Sequence, residues 1–227
     1  MMNRVSRRYF LKTMAAGLTT ITAGYLLSNN KVYAQSPITQ PNSNTILVVY
    51  YSLPETNSTL SEHRENSTVT IANQTLGNTQ YMALVIQEAL KNADLFRIET
   101  VVPYDTTDHA KLIDQAKKEL NSHYRPALKQ TINNLDQYDT ILFGYPIWWA
   151  DLPTPVYSFL SQHGLAGKKV IPFGTNGGSG FANTRTTIAK LQPNADFRGQ
   201  DGLTIYRDRI ENAKNDIVDW VNKLSLV

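Results

Sequence analysis

Five short apolar runs, spaced by helical patterns, constrain this chain more than any other feature. The first is Ile46-Leu47-Val48-Val49-Tyr50-Tyr51. Leu95-Phe96-Arg97-Ile98, Thr140-Ile141-Leu142-Phe143-Gly144, Lys169-Val170-Ile171-Pro172-Phe173 and Leu203-Thr204-Ile205 follow. Short continuous runs of this kind read as strands buried on both faces, because a half-exposed strand would alternate with polar residues. Helical spacing fills the intervals at Asn78 to Lys91, Ala110 to Asn121, Pro155 to Gln162, Phe181 to Leu191 and Ile210 to Leu224. In the last, Ile217, Trp220, Val221 and Leu224 make one apolar face. Strand–helix alternation predicts an α/β fold, a parallel sheet with helices on both faces. Right-handed crossovers then put a ligand at the carboxyl ends of the strands.

One interval breaks the rhythm. Residues 53–74 are largely polar and separate the first strand from the first helix, where roughly two to six residues are usual. They read as an inserted loop.

Charge divides the chain further. The 227 residues carry 22 Lys and Arg against 19 Asp and Glu, a formal charge of +3. Residues 1–34 hold Arg4, Arg7, Arg8, Lys12 and Lys31 and no acid, which leaves 17 basic against 19 acidic residues beyond them. Ser6-Arg7-Arg8-Tyr9-Phe10-Leu11-Lys12 is similar to a twin-arginine export signal. The apolar run from Met14 to Leu27 is too short for a comfortable membrane span, and Val32-Tyr33-Ala34 offers small residues to a signal peptidase. Residues 1–34 are therefore expected to be a twin-arginine signal peptide recognised by the twin-arginine translocase, 35–44 a linker, and 45–227 the folded domain. Membrane contact is expected only through an uncleaved signal. The net −2 of the remainder gives no case for nucleic acid. The absence of Cys excludes disulfides, Cys-ligated metal and thiol nucleophiles, and no metal site is read.

Three loops at strand ends carry the candidate chemistry. The first starts at Ser52 and closes with Thr75-Leu76-Gly77-Asn78-Thr79 at a helix start, where hydroxyls and backbone N–H groups can hold an anion. No Lys or Arg stands beside it in sequence, so neutral donors are expected to do the holding. The second is Tyr145-Pro146-Ile147-Trp148-Trp149-Ala150-Asp151-Leu152-Pro153, whose indoles can stack on a flat heterocycle. The third is Gly174-Thr175-Asn176-Gly177-Gly178-Ser179-Gly180, whose glycines let backbone approach a ligand. His63, His109, His123 and His163 are read as surface residues.

Together with Val48-Val49-Tyr50-Tyr51-Ser52 and Arg125-Pro126-Ala127-Leu128, these segments resemble the flavodoxin family, in a branch with Pro-x-Trp-Trp and Gly-Gly-Ser-Gly-Phe segments. The resemblance runs from about Thr45 to Leu224. It implies a three-layer sandwich around a five-stranded parallel sheet in the order 2-1-3-4-5, with FMN at the switch point. It also implies that Ser52, Gly77, Asn78 and Thr79 hold the FMN phosphate and that Pro146, Ile147, Trp148 and Trp149 line the ring. Thr175, Gly177, Gly178 and Ser179 would approach the ring's polar edge.

Two functions follow from the resemblance. One is an exported FMN protein that transfers electrons to a redox partner protein or a small electron acceptor. The flavin then supplies the redox chemistry and no catalytic side chain is required. The alternative is a flavin-dependent NAD(P)H:quinone-type oxidoreductase, with a second pocket built from Tyr51, Tyr145, Arg185 or the 53–74 insertion.

Overall fold

In the computed structural model, which describes residues 45–54 and 67–226, the first apolar run is β1 (Ile46–Tyr51), and all six of its residues are buried. β4 (Ala93–Ile98) and β5 (Thr140–Pro146) pair with it in parallel, one on each side. β6 (Lys169–Asn176) pairs with β5 and is buried along almost its whole length. Numbered by the five apolar runs, the order is 2-1-3-4 up to this point, as the family resemblance implies.

The fifth position holds two strands. β7 (Asp196–Phe197) pairs with Lys169 and Val170, and β8 (Leu203–Tyr206) pairs with Phe173 to Asn176, both on β6. The sheet therefore has six strands, with the sixth off the main path. Pro172 explains the break. Val170 accepts from the N–H of Arg198, so Pro172, two residues on, faces the same edge without an N–H to offer.

Helices cover both faces. Leu47, Val49 and Tyr51 share a core with Phe143, Tyr145, Val156, Phe159 and Ile188. That core lies beneath α2 (His109–Asn121), α3 (Thr154–Gln162) and α4 (Thr184–Leu191). α1 (Asn78–Leu90) packs against the central strands and against α5 (Lys214–Lys223), which makes the other outer layer. Among the described residues no helix is long and apolar enough to cross a membrane.

Three boundaries differ from the sequence expectation. α4 begins at Thr184 and not at Phe181, because Gly180 and Ala182 lie at φ 58° and 45°, outside the helical region. Residues 207–212 form a short 3-10 helix ahead of α5. The 53–74 segment is not all loop: β2 (Thr68–Ile71) and β3 (Gln74–Gly77) make an antiparallel hairpin leading straight into α1. Ala72 and Asn73 turn that hairpin at φ 49° and 63°, the left-handed pair that a two-residue turn needs. Residues 55–66, the expected signal at 1–34 and the expected linker at 35–44 lie outside the described residues.

Candidate functional site

The polar end of the site is built where β1 stops beneath the start of α1. The Ser52 hydroxyl accepts from the Gln80 N–H at 3.1 Å and so caps a helix that begins 26 residues later in the chain. It keeps its own O–H proton for a further acceptor. The Asn78 N–H donates to Ser67 O at 2.7 Å, and the Gly77 N–H donates to the Gln80 side-chain oxygen at 3.3 Å. A Cβ on Gly77 would stand 2.1 Å from Ser52 Oγ and 2.2 Å from Leu53 O, so only glycine lets the strand end and the helix start approach this closely. From β6, the Thr175 hydroxyl meets that of Thr79 at 2.9 Å. Ser52, Asn78, Thr79 and Thr175 are all buried, and the Asn78 Oδ1 has no partner among the described residues.

The apolar end leaves β5 at Pro146. Ile147 donates its N–H to Thr175 O at 2.8 Å, which ties this loop to the same β6 end. Trp148 and Asp151 exchange N–H···O bonds of 3.0 and 2.9 Å around a two-residue turn, with Trp149 and Ala150 at φ 51° and 61°. The Trp148 indole meets Tyr51 and Tyr104 edge-on, each at 5.6 Å between centroids. Tyr104 in turn donates to Glu119 Oε2 at 2.5 Å, and Thr154 donates to the same oxygen at 2.7 Å. Trp149 is exposed, with its indole N–H on Ile113 O at 3.1 Å and the Lys117 ammonium 4.5 Å from its ring centre. Burial and the adjoining Asp151 carboxylate push the Tyr157 hydroxyl up to about 12, which keeps it a donor to Asp151 at 2.9 Å.

These two ends face one cavity of about 180 Å³. Ser52, Leu53, Ser67 and Thr79 line one part, and Pro146 to Trp149 with Leu112, Ile113 and Ala116 of α2 line another; His109 and Arg207 complete it. The family model for flavodoxins matches residues 68–224. The chain belongs to the flavodoxin family. As a flavodoxin-family member it is similar to a Bacteroides eggerthii protein assigned as a flavoprotein, at 27% identity and TM-score 0.59 over 81% of this chain and 99% of that one. A Bacteroides uniformis protein assigned in the same way is similar at 25% identity and TM-score 0.56, over 74% and 96% of the two chains. The fold is shared with a Lactobacillus acidophilus flavoprotein solved in complex with FMN, at 19% identity and TM-score 0.52 over 76% and 99%. No curated protein matches the chain.

Within this flavodoxin-family site, Ser52, Thr79, Pro146, Ile147, Trp148 and Trp149 line the cavity, as the sequence suggests. Gly77, Asn78 and Thr175 are built into its polar end through the bonds and contacts above. Gly177, Gly178 and Ser179 are not on its wall. They turn away from β6 after Asn176, whose side chain accepts from the Gly178 N–H at 2.8 Å, with Gly178 at φ 118°. The Tyr51 and Tyr145 considered for a second pocket are wholly buried, and Arg185 is bound to Gly199 O at 3.1 Å.

Two cavity residues escape the sequence reading. Arg207 brings a cation to the cavity wall; it follows β8, some 130 positions beyond the anion loop, and no local motif marks it. His109, read as a surface residue, lines the cavity from the first turn of α2. His163 is also misplaced by that reading, since it is buried. It stacks on Phe159 and accepts the Ile132 N–H at 3.0 Å, so burial lowers its proton affinity.

Proposed function

We propose that this protein is an exported flavoprotein that holds FMN at the carboxyl edge of its sheet and passes electrons from a donor to an acceptor. The observation that carries this reading is the one cavity shared by an anion-binding turn and an indole-bearing wall. The residues fit the group. Hydroxyls of Ser52, Ser67 and Thr79, the start of α1 and the Arg207 guanidinium suit a phosphate. Ile147, Trp148, Leu112 and Ala116 offer apolar surface to a flat ring. At about 180 Å³ the cavity is smaller than the roughly 300–1,000 Å³ of a pocket that encloses its ligand, which suits a cofactor with one edge in solvent. When bound, FMN supplies the one- or two-electron chemistry. The protein's part is to grip the phosphate, pack the ring against Trp148 and keep water from the packed face.

The flavodoxin family and the FMN complex of the Lactobacillus acidophilus relative support the cofactor. The Arg7-Arg8 segment supports export by the twin-arginine route, a path that carries folded proteins and so suits a cofactor loaded beforehand. The partner is a redox protein or a small electron acceptor. The test is the visible spectrum of the purified protein with added FMN, followed by titration with dithionite and, separately, with NADPH and a quinone. A flavin band that dithionite bleaches, with slow NADPH turnover, supports the carrier. Rapid NADPH turnover favours the quinone-reductase alternative, and absence of any flavin band ends both. Export is checked by cell fractionation of the Arg7→Lys, Arg8→Lys double variant, which is expected to stay in the cytoplasm.

A further inference from the structure

Arg207 stands where β8 ends, and the sheet carries it to the first turn of α1. Tyr206, the residue before it, is in register with Asn176 on β6. Thr175, next to Asn176, touches the Thr79 hydroxyl at 2.9 Å. From the other side, a second cavity of about 230 Å³ lies between Arg207 and β2, whose Thr68 pairs with Gly77 at the helix start. Arg207 thus divides two cavities and lines both. Among the described residues that line the FMN cavity there is no carboxylate, and Arg207 is the only permanent charge. Among the described residues the carboxylate within ion-pair reach of it is Asp208, with Nε to Oδ1 at 4.0 Å, too long to occupy the guanidinium's donors.

A guanidinium with donors open among the described residues, beside hydroxyls and a helix start, is matched to an anion with several oxygens. A dephosphorylated flavin has no charge for it. Resting on the flavin reading above, we propose that Arg207 grips the cofactor phosphate and makes the site select FMN over riboflavin. The selectivity comes from a residue of the far edge of the sheet, and the hydroxyls of the anion turn position the phosphate for it.

The test compares FMN and riboflavin binding to the full-length protein, by flavin fluorescence quenching, in wild type, Arg207→Gln and Arg207→Lys. Loss of one charge-assisted contact is expected to weaken FMN on the order of tenfold in Arg207→Gln while riboflavin is unchanged. Arg207→Lys keeps the charge and recovers part of the loss. Added salt weakens FMN binding to wild type more than to Arg207→Gln, because screening acts on the charge that the variant lacks. Equal weakening of both flavins, or unchanged FMN affinity with an unchanged melting temperature, overturns the assignment and leaves the flavin reading standing. A wild-type protein that binds neither flavin overturns both. Should Arg207→Gln not fold, Arg207→Lys with the salt series decides: salt-insensitive FMN binding by wild type overturns the proposal.

Discussion

The two ends of the cavity are built on opposite plans. At the α1 end the chain is closed on itself: Ser52, Gly77, Asn78 and Thr79 are buried, and backbone contacts set their positions. At the end beyond β5 the wall is a short turn with two residues at positive φ, propped from behind by side chains of α2 and α3. An anion site needs donors at fixed points, which backbone supplies most rigidly. A ring wall needs area, which side chains supply at the cost of exposure. The polar end should therefore fail abruptly when altered, and the apolar end by degrees.

The largest effect is expected from Gly77→Ala. Its Cβ would collide with Ser52 Oγ and the Leu53 carbonyl, so β1 and α1 must separate and Ser52 loses its bond to Gln80. Overpacking of this kind costs about 3 kcal/mol. Urea unfolding should show a lower midpoint, and flavin binding should fail with it. An unchanged midpoint would mean that the close approach at Gly77 is not structural.

Glu119→Gln probes the opposite end. The Tyr104 and Thr154 hydroxyls both donate to one Glu119 oxygen, and Tyr104 supports the Trp148 ring. Loss of the charge weakens both bonds, at about 1.5 kcal/mol. Trp fluorescence should shift as Trp148 loosens, while the exchange of the Asn78 amide, bonded to Ser67 O, stays as it was. If that amide also exchanges faster, the two ends are one unit and the contrast fails.

The contrast also explains what the sequence disclosed. β1, β5 and β6 are legible because continuous burial leaves continuous apolar runs, and Trp148 and Trp149 because tandem indoles after a strand are conspicuous. The β2–β3 hairpin is obscure because Ala72-Asn73 turns it where Asn-Gly would have marked it, and each of its strands is only four residues long. The first half of the fifth strand position, β7, is two residues long and is split from β8 at Pro172, a residue of a different strand. Arg207 is invisible for the same reason: its place beside α1 follows from the register of β8 on β6. The Gly177–Ser179 turn lies outside the lining of the cavity, since glycine reports freedom of the backbone and not where that freedom is used.

A smaller effect should follow pH, away from the cavity, at the carboxyl end of α3. His163 closes α3, with Nδ1 on Phe159 O at 3.0 Å and Nε2 accepting the Ile132 N–H. That arrangement needs the neutral ring, and burial lowers its proton affinity below the ordinary value of 6.5. The unfolded chain therefore takes up the proton first as pH falls. The stability that His163 contributes is complete above about 6.5 and is lost from there down toward its lower folded value. Hydrogen exchange at Ile132 should quicken in this window while Asn78 holds. A His163→Gln variant should lose the slope, and persistence of the slope would assign it to another group.

The smallest change expected is a gain. Ala150 sits at φ 61° beside Trp149 at 51°, and a left-handed residue with a Cβ costs about 1 kcal/mol. Ala150→Gly removes that cost but gives the unfolded chain more freedom, worth about 0.5 kcal/mol the other way. The net gain of about 0.5 kcal/mol should appear as a slightly higher melting temperature. Flavin affinity should not follow it, because the strained pair fixes the direction in which Trp148 leaves β5, and a glycine there relaxes the wall. Stability and binding would then move apart at this end, whereas at Gly77 they fall together. A parallel rise in both would show that the turn is merely strained and that its strain does nothing for the wall.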